Sequence, residues 1–363
     1  MLAHSDVAAY LLEAGLFDRS ATPVGSLRVL ELSGRNRVLA VAGPGTAGYV
    51  VKQSDPRDGD FLAREVAVLR QLVEAEPRLA PYVPTPVFFD AQRRTLVCEL
   101  VGDATDLAAF YARGRFPPLL ARRLGGALAL LHAVDPRALD EMPATRDTLG
   151  VGVPPNPPSL GVVLSMSDAG VELLRLLQAS SELCERLADL NDSRDDVAII
   201  HGDLRPNNCV AFSRAGAGRR TRIALVDWEL ARRGDPHVDL GAVLGEHLHV
   251  WLWSMSVFDG SDLRQAPHHA RHPLDAMQPA IRAFWRGYLG TRQKQDAGPR
   301  PSLRRAVEFS AVRLVEVAFE RAQTDAALDP RAGLALQLGL NVLRRPTEAA
   351  VHLFGLPFAE AAR

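Results

Sequence analysis

The sequence predicts an α+β fold in two lobes, a small antiparallel β-rich N-lobe over residues 1–101 and a helix-rich C-lobe over residues 102–363. Three observations carry that prediction. Short β-rich runs punctuated by Gly, Asn and Pro crowd the first part of the chain. Helical spacing of apolar residues dominates after about Asp106. The two regimes meet at LVCELVGDATDL, which reads as a hinge.

In the N-lobe, a short amphipathic start precedes SLRVLEL, RVLAVAG and GYVVKQ, which are separated by SGRN and PGTA. Turn chemistry between short strands describes an antiparallel meander. A helix follows over Asp60 to Glu74, with Phe61, Leu62, Val66, Leu69 and Leu72 expected on its buried face. PYVPTPVFFD and RRTLVCELVG then read as two further strands, which makes about five in all with a helix after the third.

The C-lobe opens with LAAFYARG and PLLARRLGGALALLHAV, the second with an apolar stripe broad enough for a core helix. Residues 135–159 contain VGVPPNPPS and read as a loop or insertion. Helix returns over Val162 to Leu190. VAIIHGDL, NNCVAF and TRIALVDW are strand-loop-strand material, and the remainder from about His237 is mostly helical.

Composition narrows the class. A chain of 363 residues can bury a core in each of two lobes. A net charge of −1 provides no bulk field toward nucleic acid or anionic lipid. Cys98, Cys184 and Cys209 lie far apart, which suits neither a disulfide framework nor a zinc site and fits a reducing compartment. His4, Asp6 and Glu13 interrupt the N-terminal stretch, which has no basic leader, so no secretory signal is expected. No apolar run approaches the roughly 20 residues a membrane helix needs. The expectation is a cytoplasmic protein without nucleic-acid or membrane partners.

The stretch that carries chemistry is HGDLRPNN, His201 to Asn208, directly after the apolar run VAII. An acid followed five residues later by an amide suits phosphoryl transfer, with Asp203 at an acceptor hydroxyl and Asn208 at a metal. Gly202 permits a tight bend beneath the acid and Pro206 stiffens the loop. Three other residues fall in order around it: Lys52 at the end of GYVVK, Glu65 on the next helix, and Asp227 in VDWE after RIALV. Singly they are ordinary, since strand-end lysines snorkel and helix glutamates are usually solvated. Their order and spacing together are what single them out.

HGDLRPNN and VDWELARRGDPHVDLG resemble the two signatures of the aminoglycoside phosphotransferase and choline kinase group, the small-molecule branch of the protein-kinase-like fold. The resemblance runs from LRVLELSGRN through the final helices, with the motifs themselves within residues 27–65 and 199–241. It implies a transfer of the γ-phosphoryl of ATP or GTP, with Mg2+, to a hydroxyl of an antibiotic, amino alcohol or sugar. It implies Asp203 as the base, Asn208 and Asp227 as magnesium ligands, and Lys52, paired to Glu65, at the α- and β-phosphates. Backbone groups around Glu99 to Val101 would meet the nucleobase, His201 would brace the loop, and Asp239 would bond beneath it.

Two departures stand out. SGRNR takes the place of a G-x-G-x-x-G loop and has one glycine, Gly34, so Ser33, Asn36 or backbone amides would contact phosphate. Arg205 stands where protein kinases have lysine, and it suits either a γ-phosphate contact or a surface salt bridge. Two other functions keep the fold: a kinase acting on Ser or Thr of a peptide in natural-product maturation, and a catalytically silent scaffold. The presence of Asp203, Asn208 and Asp227 argues against the scaffold.

Other features are weaker. PHHARH, residues 267–272, places three histidines together without acidic or cysteine partners. SRAGAGRRTR reads as a solvated turn, and WLWSM around Trp251 as core or pocket wall. Glu246, Asp259, Asp262, Glu316 and Glu320 are no heavy surplus over the C-terminal arginines, which tempers a polycationic acceptor.

Overall fold

The computed structural model describes residues 4–18, 23–32, 37–43, 48–55, 61–101, 104–139, 158, 160–193, 198–213, 221–257, 265–295, 301–323, 325 and 327–357. The chain begins with α1 (Val7–Glu13), β1 (Arg28–Leu32), β2 (Arg37–Ala42), β3 (Gly48–Gln53), α2 (Phe61–Ala75), β4 (Pro86–Asp90) and β5 (Thr95–Leu100). Next come β6 (Thr105–Asp106), α3 (Leu107–Ala112), α4 (Pro118–Leu131), α5 (Leu160–Ser165), α6 (Asp168–Gln178), α7 (Ser181–Asp192) and β7 (Ala198–Ile200). Then β8 (Cys209–Ser213), β9 (Thr221–Leu225) and β10 (Arg232–Gly234) lead into α8 (Pro236–Trp253). Last are α9 (Leu274–Gln295), α10 (Leu303–Ala322), α11 (Pro330–Arg344) and α12 (Pro346–His352). The architecture is the α+β combination that the sequence predicts, with a small antiparallel sheet and a helix-rich remainder. None of the described helices is long and apolar enough to cross a membrane.

Two compact units form: Met1–Thr105 with Val210–Ala231, and Asp106–Cys209 with Arg232–Arg363. The division differs from the expected 1–101 and 102–363 because the segment holding β9 and VDWE joins the first unit. Hydrogen bonds explain why. The Leu225 N–H donates to the Tyr82 carbonyl at 2.7 Å, and the Trp228 N–H to Glu65 Oε1 at 3.2 Å.

In the first unit the sheet runs β1-β2-β3-β5-β4, antiparallel throughout. Side chains alternate across it, so each face needs its own cover. Leu39, Val41, Val51 and Val97 face a cluster with Val7, Tyr10 and Leu11 of α1. Leu96 and Cys98 face Leu62 and Val66 of α2. Lys52 lies opposite Leu96 in the register, and directly opposed residues share a face, so Lys52 belongs to the α2 side. One expectation for α2 is corrected here. Phe61, in the first turn, is 38% exposed with Arg64 over its ring, while Glu65, one turn on, is buried at 3% exposure.

In the second unit α4 and α9 meet backbone to backbone. A Cβ on Gly125 would fall 2.1 Å from the Phe284 carbonyl oxygen, and one on Gly287 would fall 2.1 Å from that of Arg122. Only glycine fits at such a crossing. α8 packs along α10, whose described face is buried from Leu303 through Ala322. β7 pairs antiparallel with β10, with Ile200 opposite Arg232, and this short ladder anchors the loop that begins at His201. Most of the proline-rich stretch VGVPPNPPS lies outside the described residues.

Candidate active site

In the first unit the site is built around Lys52, a buried cation on the central strand of the sheet. Its ammonium donates to Glu65 Oε2 at 2.8 Å, to Asp227 Oδ1, and more distantly to Glu229 Oε2 at 3.4 Å. Burial opposes the charge, but Glu65 and Asp227 outweigh it and hold the ammonium above the ordinary lysine range. Burial pushes the Glu65 carboxyl up, and Lys52 offsets only part of that effect. Glu65 is bifunctional: one oxygen takes Lys52 while the other takes the Trp228 N–H.

That second bond fixes the VDWE turn. Asp227 has φ of 67°, in the left-handed region, where Asp and Asn are the non-glycine residues best tolerated. Trp228, almost fully buried, locks the turn by donating its indole N–H to the Leu225 carbonyl at 2.8 Å. The Asp227 carboxylate stays about a third open to solvent, at 36%. A carboxylate so placed is a hard oxygen donor suited to Mg2+.

In the second unit the loop from His201 to Asn208 is held from below. Asp239, fully buried on the first turn of α8, accepts from the His201 N–H at 2.8 Å and the Gly202 N–H at 3.0 Å. It also pairs with His132 Nε2 at 3.1 Å, while His132 Nδ1 meets the Tyr288 hydroxyl at 2.9 Å. A carboxylate only accepts, so His132 Nε2 carries the shared proton. Burial works against the Asp239 charge, but His132, His201 and the Gly202 N–H outweigh it and keep the carboxyl below its usual range.

Gly202 has φ of 78°, the tight bend expected beneath the acid. His201 is fully buried and accepts the Asp203 N–H at 3.3 Å through Nδ1, so it braces the loop. The Asp203 side chain is 17% exposed, and both of its oxygens are engaged. The Arg205 Nε–H donates to Oδ1 at 2.5 Å, and the Asn208 amide N–H to Oδ2 at 3.0 Å. The Asn208 nitrogen also serves the Asp203 carbonyl at 2.9 Å, so its amide oxygen is the end not spent on Asp203. A pocket of about 400 Å³, its open mouth included, has Gly202, Asp203, Arg232, Asp239, Arg313 and Glu316 among its walls.

A sequence model of the phosphotransferase enzyme family matches residues 26–284. The chain belongs to the phosphotransferase enzyme family. Members transfer phosphoryl groups, so this chain is a phosphotransferase. A search of curated proteins found no match. Among solved structures, the chain is similar to a choline/ethanolamine kinase family protein from Mesorhizobium loti, at 15% identity, 98% coverage of both chains and a TM-score of 0.53. It is also similar to the amicoumacin kinase hAmiN in complex with AMP-PNP, Ca2+ and Ami, at 14% identity, coverage of 98% of this chain and 99% of that one, and a TM-score of 0.53. For the choline kinase from Cryptosporidium parvum Iowa II the values are 10% identity, 96% and 97% coverage, and a TM-score of 0.52. At these identities the likeness is one of fold, the two-lobed kinase-like fold.

Within the phosphotransferase, Lys52, Glu65 and Asp227 come together in the first unit, and Asp203, Arg205 and Asn208 in the second. The Glu99 N–H donates to the Thr85 carbonyl at 3.1 Å, and Glu99 and Leu100 pair with Tyr49 and Gly48 between β5 and β3. Ser33 and Asn36 lie outside the described residues, as do Asp259, Asp262 and residues 214–220 of SRAGAGRRTR. Among the described residues no trio of His, Cys, Asp or Glu could hold a metal ion, PHHARH included. Magnesium does not demand such a trio, since it commonly binds one or two protein oxygens together with substrate phosphates. Trp253 of WLWSM is half-buried against His249 and Arg321, with ring centroids 5.1 Å from His249.

Three residues of these two arrangements carry no assignment from sequence. Glu229 stands inside VDWE, two residues after Asp227, and that adjacency was the available signal. His132 ends an apolar helix, and Arg313 lies in the middle of α10 between hydrophobic residues. Nothing local marks either one, because their partners are distant in the chain. Glu246 is buried against Arg313 and His249, so it serves the interior rather than an acceptor.

Proposed function

We propose that this phosphotransferase moves the γ-phosphoryl group of ATP or GTP, as a magnesium complex, to a hydroxyl of an antibiotic, an amino alcohol or a sugar. The observation that carries the reading is Asp203 itself: a carboxylate at a glycine bend, partly open to solvent, on a backbone locked by the buried Asp239. A base has to reach the acceptor while its own position stays fixed. Asp203 meets both demands.

Each of the other residues has a part. Lys52, kept charged by Glu65, neutralises the α- and β-phosphates. Asn208 and Asp227 offer the amide and carboxylate oxygens that hold magnesium. When bound, the cation offsets phosphate charge as the transfer proceeds. Asp203 takes the proton from the acceptor hydroxyl as its oxygen attacks phosphorus. Arg205 balances charge beside the base. Backbone groups from Glu99 to Val101 bind the nucleobase edge. Fold neighbours named for choline, ethanolamine and amicoumacin, one of them solved with AMP-PNP and Ca2+, support a small hydroxylated acceptor and a nucleotide with a divalent cation.

The test is mass spectrometry of an acceptor panel incubated with magnesium and ATP or GTP, with Asp203→Asn alongside. The panel holds aminoglycosides, other hydroxylated antibiotics, choline, ethanolamine, sugars and Ser/Thr peptides. A phosphate mass gained on one small-molecule class and absent with Asp203→Asn is the expected result. A gain confined to peptides replaces the small-molecule acceptor with a protein one. No gain on any member counts for a silent scaffold.

A further inference from the structure

Arg205 does not stand alone beside the base. Its Nε–H donates to Asp203 Oδ1 at 2.5 Å, while its terminal nitrogens reach the two oxygens of Glu320 on α10 at 3.1 and 3.2 Å. The guanidinium therefore bridges two carboxylates. Glu320 is itself fixed from behind, because the buried Arg313 donates to its oxygens at 2.9 and 3.3 Å. Arg313 is fixed in turn by Glu246 at 2.7 Å and Glu316 at 3.1 Å. A half-exposed ion pair is ordinarily weak because two long side chains must be ordered to make it. Here Glu320 is already ordered by a buried partner, and a bridging guanidinium keeps its geometry when one of its two anchors weakens.

This bears on the reaction step and rests on the phosphotransferase reading above. As the acceptor oxygen forms its bond to the γ-phosphorus, the phosphorus–oxygen bond to the departing nucleoside diphosphate breaks and the hydroxyl proton passes to Asp203. Asp203 then becomes neutral and loses most of its hold on Arg205. We infer that Glu320 is a positioning residue that retains Arg205 beside the loop through that step, so that the guanidinium stays in place when its bond to the base is given up.

The first test needs no acceptor. In Asp203→Asn the base is replaced by a neutral isostere, which mimics its protonated state toward Arg205. The Arg205 Nε–H signal, identified by its loss in Arg205→Gln, is followed by 15N relaxation. It should stay rigid, with an order parameter of about 0.8, in Asp203→Asn and fall below about 0.6 in Asp203→Asn/Glu320→Gln. A mobile signal in Asp203→Asn alone, or a rigid one in the double variant, overturns the inference whatever the acceptor proves to be.

Turnover supplies the second test. Glu320→Gln should lower kcat about 5- to 10-fold, with KM for nucleotide within about 2-fold of wild type. In an Arg205→Gln background the same change should cost less than about 2-fold, as required if Glu320 acts through Arg205. Equal losses in both backgrounds, or no loss in the first, count against the positioning role. Asp203→Asn with wild-type turnover would instead remove the assignment of the base and leave the relaxation result standing.

Discussion

The Glu65 carboxylate lies 2.8 Å from the Lys52 ammonium with both side chains almost sealed from water. Removing Lys52 from that setting is expensive, because the Glu65 charge left behind keeps only the Trp228 N–H and almost no solvent. The pair is therefore a stability element of the first unit as well as a candidate phosphate site.

Lys52→Met should destabilise the protein by about 3 kcal/mol in urea unfolding, the scale of a buried pair broken on one side. Adding Glu65→Gln should recover part of that loss, since the orphaned charge is then gone. Lys52→Met alone unfolding like wild type would show that Glu65 finds another cation.

Asp203→Asn should reduce turnover by about 10²- to 10⁴-fold, the usual worth of a positioned base. Nucleotide affinity by calorimetry should stay within about 2-fold of wild type, because the base meets the acceptor and not the nucleotide.

At Asp227 the backbone and the charge can be separated. Asn tolerates the left-handed φ of 67°, whereas Ala does not, at an added cost of about 1 kcal/mol. Both Asp227→Asn and Asp227→Ala should abolish most of the gain in nucleotide affinity that magnesium brings. Asp227→Ala alone should also lower the melting temperature.

Acid should weaken the second unit before the proposed chemistry is considered. Glu246 is buried, which works against its charge, but Arg313 and His249 outweigh that and hold its carboxyl down at about 2. Asp235 is likewise held at about 2, where burial is outweighed by His237 and Arg305. A folded-state value below the unfolded one contributes stability that is complete above the unfolded pKa, about 4, and is lost as pH falls toward 2. The urea midpoint should accordingly drop between about pH 5 and 2. Glu246→Gln should give a lower midpoint at pH 7 and a shallower fall with acid.

What could be read from sequence followed from local pattern. Alternation and turn residues sufficed for the five-stranded sheet, since β1 to β5 are each marked by neighbours in sequence. The spacing of Asp203 and Asn208 marks one loop, and the hydrogen bond between their side chains within it is a finding that the spacing does not contain. The sequence shows which helix holds Glu65, but the burial of Glu65 in place of Phe61 depends on the partners it finds at Lys52 and Trp228. For Arg205 the sequence is compatible with a phosphate contact or a salt bridge, because its bond to Glu320 spans 115 positions of chain. His132 and Asp239 are 107 positions apart, and no periodicity encodes such a meeting.

The helices covering the sheet of the first unit have a mechanical consequence. Strands clad on one side can flex toward the open side, whereas a sheet clad by α1 on one face and α2 on the other behaves as a laminate. Lys52 sits on its middle strand, with β2 on one side and β5 on the other. The reach of its ammonium is therefore governed by the torsions of its own side chain and by the acids that grip it. A ligand that draws it forward works against those springs alone, with the plate behind them standing still.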